Sequence, residues 1–441
     1  MKIKKWLANQ LKSQDELLIV NREVKPDYEL AAVTRAVQRS SNKTILFEQV
    51  SGTKIPVVTN VYNNRQRLCN VMGSEPNQFC ERWNELYDRA QALNYEPIQI
   101  IDRPSDLVDC QLSDLPLITY HSRDAGAYFT SAIFLAKHPL TGIDNLSFHR
   151  GMYVSDTEVR VRLGSSHDLF RYQAIAEKQG DAIDAVMLIG GDPELFLAAG
   201  ATLPEGSSEI AFASAVKEAP IPCYKAINSD LLIPVSTEIV VEGRILPNVK
   251  RPEGPFGEFM GYYVEVGDNN VFEVLSVYTK PTPTYHSLLC GSNEDVSLLE
   301  ARVAAKTFRH LNKVVPGILD IACVPSVMNT TIKIKQQYEG HARQVLMAAF
   351  GAHLDYNKVC IVVDEDINIF DLNEVMWAFA TRGRADTRTM IISDVPGFYR
   401  DIHKDHWGRL GLDATYPFGR AAEFERKFIP GEDNIDLSDY F

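Results

Sequence analysis

The sequence predicts a mixed α/β (α+β) protein in three parts. These are an N-terminal α/β region over residues 1–112, a split β-barrel over 113–305 and a C-terminal three-layer α/β domain over 306–441. Three observations point there. A chain of 441 residues is too long for one ordinary hydrophobic core. Strand and helix patterns alternate at both ends, whereas the middle consists of short alternating stretches separated by turn residues. The composition, 45% hydrophobic and 23% charged, is that of a globular protein rather than a disordered or membrane-embedded one.

Taken in order, Trp6, Leu7 and Leu11 fall on one face of a short amphipathic helix. Leu17–Val20, Thr44–Phe47 and Ile55–Val58 are β-rich runs of strand length, and Asn63–Leu68 reads as a loop entering a helix. In the middle part, Tyr153–Val154, Val159–Leu163 and Val271–Tyr278 are predicted strands, and Ala185–Ile189 is a buried one. After Gly190 and Gly191, Asp192 suits a helix N-cap and Pro193 the first helical position. The last part gives a strand at Gly317–Ile321, a helix across His341–Phe350, a strand at Val359–Val363 and a helix at Asn373–Thr381.

Charge and cysteine usage narrow the function classes. Forty-five basic against 58 acidic residues give a net charge of −13, which argues against nucleic-acid or anionic-membrane partners. Seven scattered cysteines without CxxC spacing predict free thiols and a cytoplasmic setting. The basic start, Met1 to Leu7, is followed by polar Asn9, Gln10 and Lys12, so it does not read as a signal peptide. No apolar run is long enough to span a bilayer.

The most informative segment is Glu253-Gly254-Pro255-Phe256-Gly257-Glu258. Proline and two glycines disfavour a regular helix or central strand, so the chain is expected to turn, with Phe256 as an apolar anchor. Such a turn holds two carboxylates near one small volume, where like charge and partial burial push carboxylate pKa values apart. The bland alternative is a solvated turn with two surface acids.

GxGxxG, Walker A, GxSxG and HExxH strings are absent, so those chemistries have no motif support. Asp364–Asn368 resembles a calcium loop but carries Ile369 and Val375 where glycine and glutamate are needed, and reads as a polar turn. His403 and His406 read as a surface helix end. Asn145, His167 and Glu209 offer an amide oxygen, an imidazole and a carboxylate, a mixed N/O set suited to Mn²⁺ or Mg²⁺. Each also has an ordinary reading, as a turn residue, a loop histidine and a surface acid.

Together these residues resemble the UbiD family of decarboxylases, which use prenylated FMN. The resemblance runs over nearly the whole chain. Besides 253–263 it includes 63–68, 123–132, 145–150, 189–193, 362–382 and 411–415. It implies a lyase that reversibly removes CO₂, without oxidation, from an α,β-unsaturated or (hetero)aromatic carboxylic acid. The substrate would bond covalently to the cofactor, which accepts electrons that a vinyl or aryl carbon cannot hold, and a glutamate would return the proton. By position, Arg150, Glu253 and Glu258 match the family's catalytic Glu-Arg-Glu set, with Glu258 as proton donor. Asn145, His167 and Glu209 match its metal ligands, bridging to the cofactor phosphate. The flavin contacts fall on Thr130, Ser147, Phe148, His149, Arg150, Leu163, Ser165, Ser166 and His167. Potassium near the site, a flavin prenyltransferase as cofactor supplier, and a homodimer or larger homo-oligomer assembled through the C-terminal domain are also implied. Ser166 and the segment Cys290–Val296 depart from many relatives, which leaves the identity of the acid open. The rival class is a flavin-binding or carrier protein without decarboxylase activity, which an incomplete Glu-Arg-Glu set would have favoured.

Overall fold

The structure is a computed structural model. It describes residues 16–440 except 166, 205, 354, 396, 399–407, 428, 432, 433 and 437–439. The helix expected at Trp6, Leu7 and Leu11, the residue Ser166 and the pair His403 and His406 lie outside the described residues. The chain divides into two compact units, residues up to Ala305 and Lys306 onward, and the division falls within the helix Asn293–Asn312.

The first unit mixes sheets and helices as expected. Leu17–Val20, Thr44–Phe47, Val57–Thr59 and Tyr285–His286 form a four-stranded sheet, parallel at both outer pairs and antiparallel in the middle. The third strand starts two residues later than the sequence suggests, after Pro56, which has no amide hydrogen to give a ladder. Asn64 caps the helix Arg65–Met72 by accepting the Arg67 amide, and Gly73 ends that helix in the left-handed region. A second, nine-stranded antiparallel sheet contains Tyr128–Phe129, Ile133–Lys137, Asp144–Phe148, Gly151–Ser155, Glu158–Val161, Ile183–Ile189, Ile239–Glu253 and Gly267–Thr279, with Val108–Asp109 at one end of the last strand.

Alternation decides what this sheet buries. Phe134 and Ala136, Val159 and Val161, Ala185, Met187 and Ile189, and Ile239 and Val241 join one apolar core with Phe47, Val57, Phe256 and Tyr285. Gly243 admits the neighbouring strand: a Cβ there would stand 2.1 Å from the Glu273 carbonyl oxygen. Helices interrupt the strand-rich middle at Asp168–Gln179, Pro193–Gly200 and Glu209–Lys217. Asp192 does occupy the N-cap before Pro193, but its side chain makes no capping bond.

The second unit carries a mixed five-stranded sheet in the order Ile318–Ala322, Asn329–Ile334, Val359–Val363, Gly408–Ala414, Thr389–Ser393. Its helices are His341–Ala352 and Leu372–Arg382. Val363, Ile367, Val375, Ala378 and Ala414 form one of its cores. The acidic turn after Val363 is a charge cluster. Arg382, 1% exposed in its side chain, donates to Asp364 at 2.9 Å and to Asp366 at 2.8 and 2.6 Å. Among the described residues no helix is long and apolar enough to cross a membrane, and all seven cysteines are free.

Candidate active site

The segment 253–258 is more ordered than a simple turn. Glu253 is the last residue of Ile239–Glu253 and pairs with Gly267. Gly254 then takes φ +95°, a region that favours glycine, and Phe256–Gly257 pair with Tyr263–Val264. The Glu258 amide donates to the Tyr262 carbonyl at 2.9 Å. A second loop clamps the reversal from the side: Asp124 accepts the Gly257 amide at 2.9 Å and the His121 amide at 2.8 Å, and the Ala125 amide donates to the Pro255 carbonyl at 3.0 Å. Phe256 is buried beneath, as expected of an anchor.

Arg150 lies just before the strand Gly151–Ser155, whose pairing of Gly151 with Phe129 brings the 128–130 segment alongside. Its Nε donates to Glu253 Oε1 and its Nη2 to Glu253 Oε2, both at 2.9 Å, while Nη1 donates to Glu258 Oε1. Both glutamates are buried, at 1% and 8% exposure, which rules out the reading of two solvated surface acids. The guanidinium also stands 4.7 Å over the Phe256 ring. Burial alone would lower the Arg150 pKa, but the charges of Glu258 and Glu253 outweigh it and raise it.

Glu253 takes two further donors, the Tyr128 hydroxyl at Oε1 and the Asn269 amide at Oε2, both at 2.9 Å. Four donors on two oxygens fill the acceptor capacity of an ionised carboxylate. Burial and the adjacent Glu253 charge raise the Tyr128 phenol, so it stays a donor. Glu253 pairs with Arg150 in a bidentate fork, whereas Glu258 meets it through the single nitrogen Nη1.

Two of the three residues expected to hold a metal, Asn145 and Glu209, meet. Asn145 is on the strand Asp144–Phe148 and Glu209 is the first residue of the helix capped by Ser208. Glu209 Oε2 accepts the Asn145 amide at 3.2 Å and the Leu146 backbone amide at 3.1 Å. Glu209 is 3% exposed, and burial, with Asp144 nearby, pushes its carboxyl up to about 8. A surface acid it is not, and a bound cation would favour its charged form. The His167 ring is 5.1 Å from that of His149, whose Nε2 is 2.9 Å from the Ser147 hydroxyl, which donates to Asn145 Oδ1 at 2.9 Å. An amide oxygen, an imidazole and a carboxylate suit a hard or borderline divalent cation. Among the described residues no group of three His, Cys, Asp or Glu side chains is placed to hold a metal, and this set has two such residues plus Asn145.

Of the residues expected to touch a flavin, Ser147 and Phe148 lie on the strand Asp144–Phe148 and Thr130 directly follows Tyr128–Phe129. Phe148 packs edge-on against Phe196, and Leu163 is buried while Ser165 is exposed. His149 is buried, which lowers its pKa to about 4 against the opposing bond to the Arg162 carbonyl, so the imidazole is neutral near pH 7. The Thr130 hydroxyl is 2.9 Å from that of Tyr120, which is 2.7 Å from that of Ser287, and it accepts the Leu288 amide at 3.2 Å. Asp124, Tyr128 and Asn269 were not anticipated. The first two fall inside the 123–132 match, which was read only for Thr130, and nothing in the local sequence distinguishes Asn269 from a surface amide.

The chain matches three domains of the 3-octaprenyl-4-hydroxybenzoate carboxy-lyase: the N-terminal domain over residues 8–87, the Rift-related domain over 100–293 and the C-terminal domain over 297–414. Among curated proteins it is 28% identical over 420 residues to the anhydromevalonate phosphate decarboxylase of Methanothermobacter thermautotrophicus, covering 93% of this chain and 97% of that one. It is 27% identical over 431 residues to the enzyme of that name from Methanosarcina mazei, covering 96% and 98%. Among solved structures, the UbiD-class enzyme HmfF from Pelotomaculum thermopropionicum in complex with FMN superposes with a TM-score of 0.93 at 32% identity, over 100% of both chains. An evolved dimeric form of HmfF in complex with prFMN superposes at 0.89 with 31% identity, again over 100% of both chains. This chain belongs to the UbiD family of carboxy-lyases.

Proposed function

We propose that the protein decarboxylates an α,β-unsaturated or (hetero)aromatic carboxylic acid with prenylated FMN, and that Arg150, Glu253 and Glu258 are its catalytic residues. The observation that carries this reading is the buried Arg150 guanidinium held between two glutamates. The HmfF structures with FMN and prFMN support the cofactor, and the names of the two methanogen relatives support acid decarboxylation.

When bound, prenylated FMN supplies an electron sink for the pair left behind as the carbon–carboxylate bond breaks. The protein's own part is orientation and proton handling. The bidentate fork to Glu253 fixes the plane of Arg150, and Arg150 in turn holds Glu258. Glu258 delivers a proton to the carbon that has lost CO₂ and recovers one before the next turnover. Asn145, His167 and Glu209 would hold Mn²⁺ or Mg²⁺ against the cofactor phosphate, with Thr130, Ser147, Phe148, His149, Leu163, Ser165 and Ser166 along the flavin. A potassium ion near the site and a homo-oligomeric assembly belong to the same reading.

The test is the cofactor mass and absorbance of protein co-expressed with a flavin prenyltransferase, followed by CO₂ release across cinnamic, hydroxybenzoic, furoic, pyrrole and aliphatic enoic acids. Bound prenylated FMN with CO₂ release from at least one acid is expected. Protein that takes up no prenylated FMN under those conditions would overturn the reading.

A further inference from the structure

We propose that Arg35 determines specificity by binding a second anionic group on the substrate, a phosphate or a second carboxylate remote from the one that is lost. This rests on the decarboxylase reading above and gives its substrate a second charge.

Arg35 and Arg39 lie one turn apart on the helix Glu29–Ser40, where like charges repel. Among the described residues neither has a carboxylate within ion-pair distance, whereas Arg22 beside the other end of the helix pairs with Glu29. Arg39 stands in the last turn, where the helix dipole favours a cation, but Arg35 is half-buried in the helix interior. The bond its guanidinium makes is a long one, Nη1 to the Gly291 carbonyl at 3.5 Å, which uses one of five donors. Burial and the Arg39 charge lower its pKa, and among the described residues no carboxylate pairs with it to offset them.

What Arg35 touches connects it to the reaction. Gly291, at φ +72°, lies against the proton-donor segment: a Cβ there would stand 3.5 Å from Phe259 Cα and 3.6 Å from the Glu258 carbonyl oxygen. The Gly291 amide is fixed by Asp295 Oδ2 at 2.7 Å, so the turn is held in place. Arg35 therefore holds a planar fork of donors, suited to a phosphate or carboxylate, against Gly291, which itself packs on the backbone of Glu258 and Phe259.

The experiment is isothermal titration of the cofactor-loaded protein with three saturated acids: pentanoate, glutarate and 4-(phosphonooxy)butanoate. Binding of at least one dianion about tenfold tighter than pentanoate is expected, and whichever dianion wins identifies the second group. Arg35→Met should bring that dianion to within about twofold of pentanoate while leaving pentanoate unchanged, with Arg35→Lys between the two. Absence of any dianion preference, a preference that survives Arg35→Met, or an equal loss for all three acids would overturn the proposal, the last by making Arg35 a brace for Gly291. Should Arg35→Met not fold, a preference reduced in Arg35→Lys with pentanoate binding intact supports the proposal, and an unaltered preference overturns it. Binding does not require turnover, so CO₂ release by the same preparation reports separately on the decarboxylase reading.

Discussion

Tyr128 donates its hydroxyl to the same Glu253 oxygen that receives Arg150 Nε, each at 2.9 Å. The orientation of Arg150 thus depends on a phenol on a different strand as well as on its carboxylate partner. Tyr128→Phe removes that donor from a buried anion, which should cost about 1–3 kcal/mol of stability. Turnover should fall by roughly tenfold as the fork loosens, a size set by the same lost interaction. Denaturant unfolding and single-turnover rates check both, and a variant that matches the parent in each would remove Tyr128 from the positioning network.

The two glutamates should separate by what they do when neutralised. Glu253→Gln places an amide NH₂ among four donors and deprives a buried guanidinium of its bidentate partner, so a loss of about 3–5 kcal/mol is expected. Glu258→Gln leaves the Glu253 fork intact, so the fold and the cofactor content should survive while turnover falls by about 10²-fold or more. Thermal unfolding together with kcat on the loaded protein distinguishes them. Equal destabilisation by both substitutions would contradict the division of labour between anchor and proton carrier.

Much of this was legible in the sequence where local rules act locally. Val359–Val363 and Leu17–Val20 are apolar runs of strand length and became strands with those bounds. Asp192 is readable as the N-cap before Pro193, although its side chain makes no capping bond, and the loop expected to enter a helix at Asn63–Leu68 does so at Arg65. The reversal at Gly254 was legible because proline and glycine act on their own backbone. What could not be read locally are bonds that span the fold. Asn269 reaches Glu253 only because Ile239–Glu253 pairs with Gly267–Thr279, and Asp124 reaches Gly257 across 133 positions. Likewise, the burial of Glu209 is set by the helix it opens and by the strand Asp144–Phe148 packed beside it.

His167 tests the metal assignment apart from catalysis. His167→Ala removes the imidazole from the proposed set with Asn145 and Glu209, and should lower manganese content and flavin content together. Elemental analysis and flavin absorbance of the purified protein read the two, and the fall in metal is expected to be about tenfold or more. Parent-like manganese with lost flavin would place His167 on the cofactor alone. Parent-like content of both would remove it from the site.

Glu300 makes a prediction about pH that is independent of the reaction. It is half-buried on the helix Asn293–Asn312, has no ion-pair or hydrogen-bond partner among the described residues, and burial pushes its carboxyl up to about 8. Below about pH 4.5, its ordinary value, the group is protonated in both folded and unfolded chains and has no effect. As pH rises from there, the unfolded chain releases the proton while the folded chain keeps it, so the unfolded state binds fewer protons and stability falls. The loss is complete once pH passes about 8, where both states are ionised. Residual solvent exposure screens the effect, which should amount to about 1–3 kcal/mol. Glu300→Gln keeps the shape and abolishes the titration, so the variant should gain on the parent steadily between those limits and hold a constant advantage above them. Denaturant unfolding of both proteins at pH 5, 6.5 and 8.5, chosen to sample that window, reads the difference, and parallel stability curves would show that burial does not hold the Glu300 proton.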